Sequence, residues 1–276
     1  KSSPWKKVIF FLFVVVFIAV AGAAAGFFVS IGSGLPDISS NIAPDASSRI
    51  YDAKGRLITT VHAEENRIPV SIDEVPVNLQ NAFVAAEDVR FYEHHGVDPR
   101  GILRAAFSNI VSGNATGQGG STITQQLARN AFLNQEQTLK RKILEVILAL
   151  KIERQYTKKQ ILELYMNQIY FGQGCYGIET ASRVYFGKNA KDLTLPQAAL
   201  IAGLPNSPNY YSPFRSLEAA KYRQGIVLDQ MAKYGYITEA DAAAAKEADL
   251  HLAKPQDKKG TSSTASYFVN EVIRQI

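Results

Sequence analysis

The sequence of 276 residues contains a single cysteine, Cys175, so no disulfide bond can form within the chain. A lone thiol is more often a small buried hydrophobe than a nucleophile. Hydrophobic residues make up 46% and charged residues 20%, which is the composition of a globular protein. The net charge of +5 and the pI near 9.1 favour anionic partners. Nucleic acid, membrane surfaces and phosphorylated substrates all satisfy that balance.

Charge is absent from a long stretch near the N-terminus. No charged residue occurs between Lys7 and Asp37, and all 22 residues from 8 to 29 are apolar or glycine. A helix of that length rises roughly 33 Å, enough to cross the hydrocarbon core of a bilayer. A cleaved signal peptide is the alternative, but its apolar core is typically about 7–15 residues long. We therefore predict a transmembrane anchor over residues 8–34.

The charges on either side of this stretch predict its orientation. Three lysines precede it, and an aspartate is the first charged residue after it. The positive-inside rule places residues 1–7 in the cytoplasm as a short tail and the rest of the chain on the other side of the membrane.

The segments that follow the predicted anchor change in composition. Residues 35–48 are rich in proline, serine, asparagine and aspartate, which is typical of a linker. A small N-terminal β hairpin is expected next, with strands at 49–51 and 57–62. Residues 67–70 have the composition of an additional strand.

From residue 76 onward the sequence has the periodicity of helices. Apolar residues recur at spacings of three and four, first at Leu79, Ala82, Phe83 and Ala86. Thr122 and Thr157 each begin a T-x-x-Q capping box, which marks the start of a helix. Residues 49–250 thus predict one mainly α domain, and 251–276 a linker with the start of a further, truncated region. Further helices are predicted at about 99–112, 122–133, 138–155, 158–170, 175–185, 195–203, 216–234 and 238–248.

Two glutamates lie in apolar surroundings. Glu87 follows five apolar residues, and Glu145 interrupts the apolar run from 143 to 150. A helix that is apolar on every face is buried, so Glu145 should be paired, protonated or open to a cleft. Arg141 lies one turn earlier and could form a purely structural ion pair with it. The functional alternative is that both glutamates line one groove, as acid–base groups at a glycosidic centre.

A glycine-rich turn lies between these glutamates. Four glycines occur within residues 112–120, directly before the helix that begins at Thr122. A helix N-terminus after glycines is a ready site for an anion. Basic residues follow at Arg129 and at 140–142. A flexible surface loop with solvated cations is the structural alternative, whereas the two glutamates nearby favour an anionic leaving group such as pyrophosphate.

Four motifs occur in order along the chain. They are Glu87-Asp88-Val-Arg-Phe91-Tyr-Glu-His94-His-Gly96, Gly119-Gly120-Ser121-Thr122-Ile-Thr-Gln125-Gln126, Arg141-Lys142-Ile-Leu-Glu145 and Ile161-Leu162-Glu163-Leu-Tyr165-Met-Asn167. This series resembles the family 51 glycosyltransferases, which occur in class A penicillin-binding proteins and monofunctional transglycosylases. Four ordered motifs are far more specific than any one of them alone.

The resemblance implies a lysozyme-like domain that polymerises lipid II, a polyprenyl-diphosphate-linked GlcNAc–MurNAc-peptide. It is expected to invert the configuration at the MurNAc C1 and to release polyprenyl diphosphate. Glu87 would be the general base for the acceptor's sugar 4-hydroxyl, and Glu145 would organise the diphosphate on the donor side. Glu163, Tyr165 and Asn167 are expected to pack a helix. Substrate binding is implied for Asp88, Phe91, His94, Ser121, Thr122, Gln125, Gln126, Arg129, Asn130, Arg141 and Lys142.

The resemblance also implies partners and a location. The domain would lie on the outer, periplasmic face of the bacterial cytoplasmic membrane, with the growing glycan strand and other cell-wall synthesis proteins as partners. Moenomycin, a phosphoglycolipid, is the implied inhibitor, and nucleic acid is not an expected partner. A divalent cation, Mg²⁺ or Mn²⁺, could assist the reaction, but no ligand cluster in the sequence requires a metal or another cofactor.

Two other features of the sequence allow different interpretations. Gly172, Gly174 and Gly177 match the dinucleotide fingerprint G-x-G-x-x-G, but the segment before them predicts a helix and not a strand. We interpret them as a turn that requires glycine. The alternative enzyme class is a glycan hydrolase or lytic transglycosylase, and the alternative outside enzymes is an anchored glycan-binding module. The basic motif at 141–142 argues against cleavage, because glycan cleavage involves no diphosphate.

Overall fold

The structure is a computed structural model of the chain. It describes residues 67–111, 119–133 and 138–254, two strands ahead of them and a few isolated residues nearer the N-terminus. For residues 106 and 108–111 and for the strands, only the backbone is described. The predicted anchor, both linkers and the glycines at 113 and 117 lie wholly or largely outside the described residues. No helix among the described residues is long and apolar enough to cross a membrane.

Two strands lie ahead of the helices. β1 (Ser48–Tyr51) and β2 (Leu57–Val61) pair antiparallel, with Ser48 opposite Val61. The register shifts between the last two residues of β1.

Residues 67–70 do not form the predicted strand. The backbone N–H of Val70 donates to Asn167 Oδ1 at 3.0 Å, and Asn167 Nδ2 donates to the Val70 carbonyl at 2.8 Å. A side-chain amide therefore satisfies the backbone groups that a neighbouring strand would otherwise pair. The expectation of a strand was wrong because a partner 97 positions away is not visible in local composition.

The described residues from 76 onward fold into helices close to the predicted ranges. The first predicted helix after the turn at 172–177 begins later than expected, at Ile178. A short 3-10 helix, Ile72–Glu74, precedes the longer helices, and two more, Ala190–Asp192 and Leu204–Asn206, lie between them. The α-helices are α1 (Val77–Glu87), α2 (Pro99–Val111), α3 (Ile123–Phe132), α4 (Leu139–Gln155), α5 (Lys158–Gln168), α6 (Ile178–Phe186), α7 (Leu195–Gly203), α8 (Leu217–Lys233) and α9 (Glu239–Glu247).

Polar caps set the starts of several helices. The capping boxes predicted at Thr122 and Thr157 are both present, before α3 and α5. Two more, at Thr194 and Thr238, precede α7 and α9. In each box the threonine and the residue three positions later satisfy each other's backbone N–H groups, so the start of the helix is fixed locally.

The core is built around α7, whose residues 197–203 are all buried. This helix packs against α1 and α8, and α3 packs against α4 and α5. Phe83 of α1 joins the two groups, because its ring lies 6.1 Å from that of Tyr165 and 5.9 Å from that of Phe171, both edge to face. The carboxyl end of α1 is thereby held at a fixed place between α3 and α8.

Helix α4 is not buried on every face as its sequence suggests. Its buried side is a single stripe that contains Glu145, Leu148, Ala149 and Ile152. Leu150 is 41% exposed on the same helix. The prediction was wrong because an apolar helix face can also lie at the surface. Helix α2 has such a face as well, at Ile102, Leu103 and Phe107.

The glycine fingerprint at 172–177 forms a turn between α5 and α6, as predicted. Gly172, Gly174 and Gly177 all have positive φ angles, of 86°, 75° and 79°. An isolated bridge between Tyr170 and Tyr176 closes the turn. Left-handed backbone explains the glycines without a nucleotide.

Candidate active site

A cavity of about 560 Å³ opens at the carboxyl end of α1. Residues from α1, α2, α3 and α8 and from the segment after α7 form its wall. They are Ala85, Ala86, Glu87, Val89, Arg104, Gly119, Ser121, Gln126, Arg129, Pro205, Asn206, Arg223, Ile226, Val227, Gln230 and Tyr234. Three arginines against one glutamate make this wall predominantly cationic, which suits an anionic ligand.

Glu87 is the last residue of α1 and is half-buried beside the cavity. Its Oε2 accepts a hydrogen bond of 2.8 Å from Gln126 Nε2, whereas its Oε1 is buried and has no donor among the described residues. Burial raises the pKa of Glu87 above the ordinary value of 4.5; the Gln126 hydrogen bond and the charges of Arg223 and Arg129 oppose that rise. One carboxyl oxygen is thus held in place by Gln126, while the other is left without a hydrogen bond from the described residues.

Asp88 follows α1 directly and ties it to the start of α3. Its Oδ2 accepts a hydrogen bond of 3.1 Å from the backbone N–H of Ile123. His94 Nε2 lies 2.8 Å from the same oxygen, and the Gly96 N–H donates to His94 Nδ1 at 3.2 Å. Since Nδ1 accepts, Nε2 carries the proton and donates to Asp88. His94 thus makes the structural hydrogen bonds that its position beside the glutamate suggests.

At the N-terminus of α3, where the sequence predicts an anion site, groups of the protein already accept from the backbone N–H groups of residues 122, 123 and 125. Asp88 already places a carboxylate on Ile123, and the Thr122 N–H donates to Gln125 Oε1 at 3.0 Å. The Gln125 N–H donates to Thr122 Oγ1 at 3.1 Å. Thr122 Oγ1 in turn donates to the Gly96 carbonyl at 2.7 Å. The chain's own groups therefore satisfy this helix end, and the negative charge that the helix dipole favours there belongs to Asp88.

Glu145 is fully buried and does not lie open to a groove. Its Oε1 lies 3.2 Å from Arg141 Nε, an ion pair without hydrogen-bond alignment. Its Oε2 accepts from Lys142 Nζ at 2.8 Å, and that same Nζ lies 2.7 Å from Ser121 Oγ on the cavity wall. The expectation that both glutamates line one groove is therefore wrong for Glu145. Within the described residues, it reaches the cavity through Lys142 and Ser121.

The remaining residues implied as substrate-binding divide into wall, interior and surface. Arg129 and Gln126 line the cavity with Glu87, but Asn130 is exposed and is not one of its lining residues. Phe91 is fully buried, with Lys158 Nζ 4.5 Å from its ring centroid. Gln125 and His94 are buried as well, so with Phe91 they shape the site from behind its surface.

Several cavity residues were not predicted from the sequence. Asn206, Gln230 and Tyr234 have no motif that identifies them, and neither does Arg104 of α2. The spacing of the cavity-lining residues in α8 could have shown that they lie on one side of that helix. The lining residues of α8 recur at three- and four-residue intervals and share one face of the helix; they are Arg223, Ile226, Val227 and Gln230, and Tyr234 follows directly after the helix.

A metal finds little support in the described part of the chain, which holds no group of three or more histidine, cysteine or acidic side chains placed to bind one. Glu145, the carboxylate expected on the donor side, is already paired with two cations. The present residues therefore do not fit a divalent cation at Glu145, and we derive no step through one.

Comparison with known proteins gives the class of this chain. The transglycosylase family model matches residues 54–232. The chain belongs to the transglycosylase family, and the resemblance drawn from the four motifs is confirmed.

Several curated proteins are similar to most of this chain. It is 48% identical over 259 residues to penicillin-binding protein 1A of Escherichia coli, which covers 92% of this chain and 30% of that protein. It is 47% identical over 248 residues to penicillin-binding protein 1A of Aquifex aeolicus, which covers 89% of this chain and 33% of that protein. A crystal structure of penicillin-binding protein 1A from Haemophilus influenzae covers 83% of this chain and 24% of its own, at 26% identity and a TM-score of 0.45. The chain thus spans about a third of the length of these relatives.

Proposed function

We propose that this domain is an inverting glycosyltransferase that polymerises lipid II into peptidoglycan strands. The observation that carries the proposal is the state of Glu87. One of its oxygens is held by Gln126, the other is buried with no donor among the residues that the structure describes, and the surrounding cavity is lined by arginines. Such a carboxyl is suited to remove a proton from a hydroxyl, and the arginines suit a phosphorylated sugar.

The reaction would begin at Glu87. Its carboxylate takes the proton of the acceptor's sugar 4-hydroxyl as the hydroxyl oxygen attacks the MurNAc C1 of the donor. The bond between C1 and the diphosphate oxygen breaks, and its electron pair leaves with polyprenyl diphosphate. Attack opposite the leaving group inverts the configuration at C1. The raised pKa of Glu87 makes its carboxylate a stronger base than an exposed glutamate.

The leaving diphosphate would bind at the start of α4. The first turn of this helix contains Lys140, Arg141 and Lys142 and no acidic residue. Cations at the positive end of a helix dipole are unfavourable unless an anion lies beside them. Glu145 pairs with Arg141 and Lys142 from the buried side, so it would hold both cations in place for the diphosphate. Lys142 already extends to the cavity wall at Ser121.

A lipid-linked donor requires an enzyme at the membrane surface. The apolar run at 8–29 and the exposed apolar side chains Ile102, Leu103 and Phe107 of α2 support a location at the bacterial cytoplasmic membrane. The orientation we propose is a cytoplasmic N-terminus, a single membrane crossing and a catalytic domain on the outer side. The lysozyme-like architecture, with its N-terminal hairpin, is part of the same proposal.

Incubation of the protein with lipid II in detergent micelles tests the function. Polymeric glycan and free polyprenyl diphosphate should form together, and moenomycin should suppress both. A hydrolase or lytic enzyme would instead shorten preformed glycan and release no diphosphate. A glycan-binding module would form no product. Either of these two outcomes with folded protein would overturn the proposal.

A further inference from the structure

Tyr165 differs from its two neighbours in the fourth motif. Glu163 Oε2 accepts from the Ile72 N–H at 2.7 Å and Asn167 pairs with Val70, so both hold the segment that precedes α1. Tyr165 is fully buried on the same helix, but its hydroxyl donates to Gln126 Oε1 at 3.3 Å. Tyr165 therefore contacts the residue that holds Glu87.

Gln126 lies between Tyr165 and Glu87, and its two ends have different partners. Its Oε1 accepts from the tyrosine, and its Nε2 donates to Glu87 Oε2 at 2.8 Å. An ionised carboxylate only accepts hydrogen bonds, so the amide must present its NH₂ group to Glu87. A rotated amide would place two oxygens against each other. The Tyr165 hydroxyl, which donates to the amide oxygen, opposes that rotation.

The Tyr165 hydroxyl is suited to remain a hydrogen-bond donor to Gln126. Burial raises the pKa of Tyr165 well above its ordinary value of 10, and the nearby charge of Glu87 raises it further. Its ring is fixed edge to face against Phe83. The hydroxyl thus keeps its proton and its position throughout the range in which a glutamate titrates.

We propose that Tyr165 is a positioning residue whose hydroxyl fixes the rotation of the Gln126 amide, so that the amide NH₂ group holds the Glu87 carboxylate in one orientation beside the cavity. This inference rests on the proposed function, because it assigns Tyr165 a role in the same proton transfer. Tyr165 acts through Gln126 and need not touch the substrate.

Loss of the hydroxyl should change the base in a predictable direction. Without Tyr165 the Gln126 amide can rotate, its hydrogen bond to Glu87 weakens, and the pKa of Glu87 rises further. The other charged groups that affect Glu87 are Asp88 after α1, Arg129 of α3 and Arg223 of α8. A Tyr165→Phe substitution leaves these charges in place, so a change in titration can be assigned to the amide.

The pH profile of lipid II polymerisation is the test, measured on wild type and on Tyr165→Phe. The acidic limb of kcat/KM should move to higher pH, and the rate on that limb should fall by about fivefold, the effect of one hydrogen bond. The KM for lipid II should stay near that of wild type. In a Gln126→Ala background, Tyr165→Phe should add no further shift, because the intermediary is already absent.

Tyr185→Phe is the matched control. Tyr185 is also fully buried, and its hydroxyl donates to the Phe171 carbonyl at 2.9 Å. Its loss removes a buried hydrogen bond outside the cavity, so the Tm should fall while the acidic limb stays in place. If Tyr165→Phe leaves the limb in place, or if both variants shift it equally, the inference is wrong. A full additional shift in the Gln126→Ala background would also overturn it.

A second measurement separates this inference from the proposed function. The Glu87 carboxyl can be titrated directly by carbon NMR in the intact chain, with no substrate present. Tyr165→Phe should raise its midpoint and Tyr185→Phe should not. An inactive wild-type protein would count against the proposed function, whereas an unchanged Glu87 midpoint in Tyr165→Phe would count against the role of Tyr165.

Discussion

Arg223 of α8 passes over α7 at Gly203, where a side chain would not fit. A Cβ added to Gly203 would lie 2.9 Å from Arg223 Cγ. Arg223 Nε donates to the Gly203 carbonyl at 3.4 Å, and its guanidinium lies 5.9 Å from the ring centroid of Tyr211. This packing directs a positive charge towards the cavity, where it lowers the pKa of Glu87.

Gly203→Ala should therefore act on the base and not only on stability. The added methyl displaces Arg223, the pKa of Glu87 rises, and the acidic limb of the polymerisation rate moves to higher pH. The control is Gly225→Ala in α8, where the nearest atom to an added Cβ is 3.8 Å away. Gly225→Ala should raise the free energy of unfolding by about 0.5–1 kcal/mol and leave the acidic limb of the polymerisation rate at the same pH. Identical pH profiles for the two variants would contradict this account of Arg223.

Asp88→Asn tests the carboxylate that occupies the N-terminus of α3. The substitution removes the charge that faces Ile123 and His94, so the free energy of unfolding should fall by about 1–3 kcal/mol in urea titrations. Asp241→Asn is the control, because that aspartate accepts from the Thr238 N–H at the exposed start of α9. The Asp241→Asn variant should lose much less unfolding free energy than Asp88→Asn. Equal losses would mean that burial beside α3 adds nothing to the aspartate.

Lys142→Met tests the proposed diphosphate site. The substitution removes the cation that joins Glu145 to Ser121, so the KM for lipid II should rise by about tenfold or more. Lys151→Met removes one charge from an exposed position of the same helix and should leave the KM unchanged. A comparable rise in both variants would point to general attraction by net charge.

The turn at 172–177 offers a paired test of stability. Gly172 and Gly174 both have positive φ, but an added Cβ at Gly172 would lie 2.8 Å from the Pro208 carbonyl oxygen, whereas one at Gly174 would meet no described atom within 4 Å. Gly174→Ala should cost about 1–2 kcal/mol of unfolding free energy. Gly172→Ala should cost about 1–3 kcal/mol more, because the backbone must shift as well. Equal thermal shifts would show that the contact with Pro208 is relaxed at no cost.

Local sequence signals predicted where the helices lie, but not which distant residues contact each other. Thr122 and Thr157 marked two helix starts because a capping box is satisfied within four residues. The segment at 67–70 was misjudged because its hydrogen-bond partner is Asn167, far along the chain. Contacts of that kind depend on how helices pack, which periodicity does not specify.

In the candidate site too, local signals identified some residues, and tertiary packing determined the others. Glu87 could be identified from its motif and its apolar neighbours. The burial of Glu145 was one of the alternatives that the sequence left open, because an apolar helix does not reveal whether its charge faces a cleft or a pair of cations. The contribution of Arg104 and Asn206 to the cavity depends on tertiary packing alone.

The stability of the Glu87→Gln variant can be measured before its activity. Burial raises the pKa of Glu87 above 4.5, so the ionised side chain opposes folding once the pH exceeds that value. The wild type should therefore lose stability relative to the glutamine variant as the pH rises from 4.5 through the raised pKa. Chemical denaturation of both proteins at several pH values checks this and shows that the variant folds.

The most direct measurement is polymerisation of lipid II by folded Glu87→Gln at neutral pH. We expect its rate to fall by at least about a hundredfold, because glutamine cannot accept the proton of the acceptor hydroxyl. A folded Glu87→Gln protein that polymerises at the wild-type rate would contradict the assignment of Glu87 as the base.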